Sequence, residues 1–305
     1  MATIAVMGAT GNVGGRIAER LLADGHTVRA LGRSLDKLAG LKAKGAEVLT
    51  GDAADAAFLT KAFTGVDGAF TLQPPALTAP DYPARQASEG EAIAKAIAAS
   101  GVKHVVALSS IGADRPSGTG PIAGLHAQEE RLKRLTGVNV LVLRPGFFFE
   151  NFLAVLPLIQ HQGINGGAVA GTTVLPMIAT KDIGDVGARA LAARDWTGFQ
   201  VRELLGPRDL THDQCTRIIG AAIGKPDLPY VRFPYADYAA SLVQAGLSKS
   251  MADQYAEMTK AFDDGLVVSV EGRNAGNTTP TTFESWVASA LAPALTASAS
   301  GGAAR

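Results

Sequence analysis

Gly8, Gly11 and Gly14 recur at every third position between the apolar run Ile4-Ala-Val-Met7 and the segment Arg16-Ile-Ala-Glu-Arg-Leu-Leu-Ala23. Glycines at this spacing let backbone approach a charged group that larger side chains would hold off. A helix starting there presents unpaired N–H groups and the positive end of its dipole, which suit the pyrophosphate of a dinucleotide. Gly8, Ala9, Thr10, Gly11, Asn12, Val13 and Gly14 are the expected cradle; a turn that merely needs positive φ is the plainer alternative. About twenty residues on, an acidic residue commonly meets the ribose 2′-hydroxyl, but this chain has Gly32-Arg33-Ser34. Arg33 suits a 2′-phosphate and Ser34 adds a hydroxyl donor, against the alternative of a solvated arginine at a strand end. NADP(H) is the cofactor these residues predict.

The elements that must carry these groups alternate. Val13, Ile17 and Leu21, with Ala18 and Leu22, give the first helix one apolar face. His26–Arg33, Glu47–Asp52, Gly68–Leu72, Val102–Leu108 and Val138–Leu143 read as further strands, separated by helices over residues 35–44, 55–64, 84–100 and 122–135. Six strands separated by helices predict an α/β fold, a Rossmann-type doubly wound parallel sheet. Ligands of such sheets bind at the carboxyl edge. Gln73, Pro74, Ser109, Pro145 and Phe147 all follow strands, so they are expected along the cofactor. Asp52 fits either the adenine rim or a helix cap. In Phe147-Phe148-Phe149, neighbouring side chains of extended backbone point oppositely, so the three cannot all enter the core. Phe148 and Phe149 are expected against the substrate.

The 305 residues carry 28 basic and 28 acidic side chains, which excludes the strongly basic field of a nucleic-acid or lipid-surface binder. No run approaches the roughly 18 apolar residues of a membrane span, and Met1 leads straight into a strand, so a cytoplasmic protein is expected, as monomer or homodimer. Five scattered histidines and a single cysteine lack metal-ligand spacing, so no metal is expected. Cys215 shares a helical face with Ile218, Ile219 and Ala222 and belongs to the core. Thr211-His-Asp-Gln214 before it reads as a capping box. The expected organisation is a Rossmann core over 1–152, a mixed region over 153–295 that returns to the sheet and forms a smaller, mainly helical substrate lobe, and a flexible tail over 296–305.

Val6-Met-Gly-Ala-Thr-Gly-Asn-Val-Gly14, Gly32-Arg33, Gly51-Asp52, Leu143-Arg-Pro-Gly-Phe-Phe-Phe-Glu-Asn-Phe152 and Gly272-Arg-Asn-Ala-Gly-Asn-Thr-Thr-Pro280 together resemble the NmrA-like group of atypical short-chain dehydrogenases/reductases. That group includes quinone oxidoreductases, triphenylmethane and azo-dye reductases, and NADPH-sensor proteins. Typical short-chain dehydrogenases carry Tyr-x-x-x-Lys on the helix after the fifth strand, whereas this chain reads Ile122-Ala-Gly-Leu-His126. The resemblance implies His126 at the lysine position, as a ribose or substrate contact; a helix-surface histidine is the alternative. It further implies an NADPH-dependent reductase of a planar aromatic acceptor such as a quinone or azo dye, by direct hydride transfer without flavin. A non-catalytic NADP(H) sensor is the rival reading. The resemblance also makes residues 209–264, with Tyr230, Phe233, Tyr235, Tyr238 and Tyr255, the lobe that closes over the nicotinamide, though those aromatics could equally be core.

Overall fold

Buried apolar runs set the strands, and the polar turns after them set one working edge. In the computed structural model, which describes residues 1–301, the chain opens with β1 (Thr3–Val6), α1 (Asn12–Ala23), β2 (Thr27–Gly32), α2 (Leu35–Ala43) and β3 (Glu47–Thr50). It continues through α3 (Ala56–Phe63), β4 (Gly68–Thr71), α4 (Tyr82–Ser100), β5 (His104–Leu108), α5 (Pro121–Lys133) and β6 (Asn139–Pro145). After β7 (Phe147–Phe148) a 3₁₀ turn over Phe149–Val155 leads to α6 (Leu156–His161), β8 (Asn165–Gly167), β9 (Leu175–Ile178) and α7 (Thr180–Ala193). The remainder forms β10 (Phe199–Leu204), β11 (Asp209–Leu210), α8 (His212–Ala222), β12 (Tyr230–Arg232), α9 (Tyr235–Gln244) and α10 (Lys249–Asp263). It ends with α11 (Phe283–Trp286), a π-helical turn and α12 (Ala292–Gly301).

The main sheet has seven parallel strands in the order β10-β6-β5-β4-β1-β2-β3. The six strands read from sequence are all present, and a seventh, β10, pairs with β6 from Phe199 opposite Val140 to Leu204 opposite Pro145. One sheet face packs on α1 and α7 through Ile17, Leu21, Ile183 and Leu191. The other packs on α3, α4 and α5 through Leu59, Phe63, Ile93, Ile97 and Leu132. Helices α1 and α7 approach closely because α7 carries glycines: a Cβ on Gly184 would lie 2.6 Å from the Arg16 Cβ. Arg16 then closes on Asp185 through both carboxylate oxygens, at 2.8 and 3.0 Å.

A separate core holds the lobe, with Phe149, Phe152, Cys215, Ile219, Phe283 and Trp286 buried together. The capping box is present, Thr211 and Gln214 bonding reciprocally at the start of α8, and Cys215 is fully buried with its thiol pushed up by burial. The Gly272–Pro280 segment binds the chain leaving β10: Leu205 N donates to Asn277 O at 2.8 Å and Thr279 N to Leu205 O at 2.7 Å. Asp182 on α7 accepts from Thr281 N and Oγ1. From residue 296 the expected tail runs on in α12 through Gly301, and residues 302–305 lie outside the described residues. No helix among the described residues is long and apolar enough to cross a membrane.

Candidate cofactor and substrate site

The glycine turn is built from backbone constraints that other residues break. Gly8 has φ +61°, and a Cβ on Gly14 would fall 2.4 Å from the Gly8 carbonyl oxygen. Helix α1 starts at Gly11 with no side-chain cap. Gly11 N donates to Gly8 O and Gly15 N to Gly11 O, which leaves the N–H groups of Asn12, Val13 and Gly14 without partners among the described residues. Three free donors at the positive end of a helix form an anion cradle, which fits a dinucleotide pyrophosphate.

Cavities open on both sides of this turn and share Gly8, Gly11, Leu72 and Pro75. The smaller, about 260 Å³, is lined by Thr10, Arg33, Asp52, Pro74 and Arg85. Arg33 makes no hydrogen bond or ion pair among the described residues, so its guanidinium is available to a phosphate. Asp52 accepts from Ala54 N at 2.9 Å and pairs with Arg85, which holds its carboxyl below the usual range. It therefore lies at the rim, and the cap of α3 is Asp55. Ser34 caps α2 by accepting from Lys37 N and lies off both cavities.

The other cavity, about 420 Å³, is lined by Asn12, Val13, Gly14, Gln73, Ser109, Ile122, Phe147 and Phe148. Gln73 donates from Nε2 to Gln86 O at 2.6 Å, while its Oε1 is buried without a partner. Ser109 donates to the buried carboxylate of Glu129, which Arg144 also holds at 2.9 Å. Ala9 lines a shallow recess on the outer side of the turn. Pro145 stands behind the wall, its carbonyl accepting from Ile111 N, while the buried Gly146 lines the cavity.

Two expected contacts are placed elsewhere. His126 does not line the cavity: Ile122 and Leu125 do, while the His126 Nδ1 is turned to Ala113 O at 2.9 Å. Phe149 is 1% exposed and packs on Phe283 and Trp286 at ring distances of 5.1 and 5.9 Å. The backbone leaves extended geometry at Phe149, so the alternation that separates Phe147 from Phe148 no longer applies and the third ring turns into the lobe core. Glu150, next to it, accepts from Thr180 N and Trp286 Nε1, a structural role.

The sequence reading did not single out Tyr82 or His212, and held Tyr255 only as a lobe aromatic. Tyr82 and Tyr255 line the larger cavity, neither hydroxyl has a partner among the described residues, and burial raises both phenols, which keeps them protonated. His212, 7% exposed behind Phe147, is lowered to about 4 by burial and is neutral at ordinary pH. No three His, Cys, Asp or Glu side chains gather as a metal site among the described residues.

The chain is similar to known proteins along most of its length. The profile of the NmrA-like family matches residues 1–287. The chain is 32% identical to a (4-alkanoyl-5-oxo-2,5-dihydrofuran-3-yl)methyl phosphate reductase of Streptomyces griseus, over 88% of this chain and 89% of that one. It is 29% identical to quinone oxidoreductase 2 of Escherichia coli, over 92% and 96%. The crystal structure of an Escherichia coli NADPH-dependent quinone oxidoreductase complexed with NADPH superposes with a TM-score of 0.73 at 26% identity, covering 96% of this chain and 99% of that one.

Proposed function

Since the chain belongs to the NmrA-like family, we propose that it is an NADPH-dependent oxidoreductase that reduces a planar aromatic acceptor such as a quinone or azo dye. The observation that carries this reading is the cavity in which the uncapped α1 N-terminus faces Phe147, Phe148 and Ile122. NADPH, when bound, supplies a hydride. The free N–H groups of Asn12–Gly14 hold its pyrophosphate and Arg33 its 2′-phosphate. Phe147 and Phe148 orient the acceptor ring, and stacking contributes roughly 0.5–1.5 kcal/mol beyond area burial.

Helix α5 offers Ile122 where a tyrosine acid would stand, and Ser109 is committed to Glu129. The proton that completes reduction therefore comes from water or from the unpartnered hydroxyls of Tyr82 and Tyr255. Quinones and azo compounds tolerate this, because the oxyanion or hydrazo nitrogen left after hydride arrival takes a proton readily.

The test is oxidation of stereospecifically deuterated NADPH by menadione and an azo dye. A primary isotope effect, with no flavin in the purified protein, is the expected result. Tight NADPH binding without oxidation by any aromatic acceptor would overturn the reading in favour of a non-catalytic sensor.

A further inference from the structure

Behind the acceptor cavity lies a second chamber of about 420 Å³ that shares Phe147, Asn151, Tyr255, Met258 and Phe262 with it as a common wall. Its own lining is largely apolar, with Phe152, Leu158, Val169, Phe233 and Leu242. The space depends on glycine, since a Cβ on Gly166 would lie 2.6 Å from the Phe233 ring. One polar group inside is unsatisfied. His212 lines the chamber at 7% exposure, edge-on to Phe147 and tilted against Phe152 and Tyr230 at ring distances of 5.3–5.7 Å. Its ring makes no hydrogen bond among the described residues, and Nδ1 is buried without a partner. Buried polar groups are normally hydrogen-bonded, so an unpartnered imidazole on the wall of an apolar chamber points to a ligand oxygen as the missing partner.

The front cavity has to hold the nicotinamide beside the glycine turn as well as the acceptor ring. A substituent on the acceptor ring that passes the common wall enters the rear chamber. We propose that the rear chamber is a second acceptor subsite, which takes an apolar chain extending from the reducible ring and hydrogen-bonds an oxygen on that chain through His212. This rests on the reading of the front cavity as an acceptor site. It adds that the substrate is a ring bearing an aliphatic extension.

The experiment uses 2-methyl-1,4-naphthoquinone, its 3-alkyl homologues and the 3-(6-hydroxyhexyl) compound, titrated calorimetrically into the NADP⁺-loaded protein and assayed separately for NADPH oxidation. Burying a methylene contributes about 0.8 kcal/mol, close to fourfold, so affinity is expected to rise roughly tenfold or more from the unsubstituted ring to the hexyl homologue. Leu242→Trp and, independently, Ala168→Leu fill the chamber. Each is expected to abolish the chain-length gain while leaving binding of the unsubstituted ring within about twofold. His212→Phe keeps the ring packing and is expected to weaken the hydroxylated homologue about tenfold more than the hexyl one.

A dissociation constant independent of chain length overturns the subsite, as does Leu242→Trp weakening every homologue alike. Equal effects of His212→Phe on the hydroxylated and hexyl compounds overturn the role of His212. Affinity that climbs with chain length while no compound oxidises NADPH upholds the subsite and overturns the proposed reductase. Oxidation of every compound with flat affinity does the reverse.

Discussion

Arg33 stands at the cavity without a partner, whereas Arg85 beside it is neutralised by Asp52 and Glu89. A charge-assisted contact to the 2′-phosphate contributes about 1.5–3 kcal/mol, so NADPH should bind tenfold or more tightly than NADH. Titration of Arg33→Ala should show that preference gone. The hydroxyl of Tyr255 is the atom to test for proton delivery: Tyr255→Phe should lower kcat by roughly tenfold or more at little change in KM, with a smaller solvent isotope effect. A variant with an unaltered rate and isotope effect would leave water as the donor. His126→Ala should keep turnover within about twofold, because the ring faces Ala113 O and not the cavity. The glycines, Arg33 and Phe147 could be placed from sequence because backbone geometry and strand ends constrain them. His126 and Phe149 could not, since each depends on how the chain bends after the last predictable residue. His212 was hidden inside a capping box, where the local pattern accounts for Thr211 and Gln214 and says nothing of the side chain between.

Among the elements, the turn into α1 tolerates least. Gly14→Ala places a methyl against the Gly8 carbonyl, so denaturant unfolding should report a loss of about 1–3 kcal/mol, and calorimetry a loss of NADPH affinity. A variant with unchanged stability and binding would show that the turn relaxes. All six strands expected are recovered within about two residues at each end, because buried parallel strands read as continuous apolar runs. β10 escaped notice because an edge strand alternates polar with apolar residues: in Phe199-Gln-Val-Arg-Glu-Leu204, Gln200 and Arg202 are exposed while Glu203 and Leu204 are buried. Glu203 is buried because it accepts from Val270 N at 2.9 Å and from Ser269, partners more than sixty residues away that no local pattern announces.

The molecule as a whole should carry a pH signature from His212. Its folded value near 4 lies below the ordinary 6.5. Between those values the unfolded chain takes up a proton that the folded chain does not. The stabilising effect of keeping this ring neutral is therefore complete above about pH 6.5, declines as pH falls, and levels off near 4, a total on the order of 3 kcal/mol. Urea unfolding at pH 7 and 4.5 should show the decline in the native protein and a shallower one in His212→Phe; parallel slopes would contradict it.

The pairing of β10 with β6 also decides how the protein can be cut. A fragment ending at residue 152 keeps the glycine turn and six strands of the main sheet but loses the strand that covers Val140–Pro145. It bares a row of backbone donors and acceptors beside Val140–Leu143, which are buried in the intact chain. Open edges of this kind recruit further chains. Expressed alone, the nucleotide-binding half should enter inclusion bodies, so a minimal soluble version has to reach past Leu204 and retain the Gly272–Pro280 clasp that anchors it.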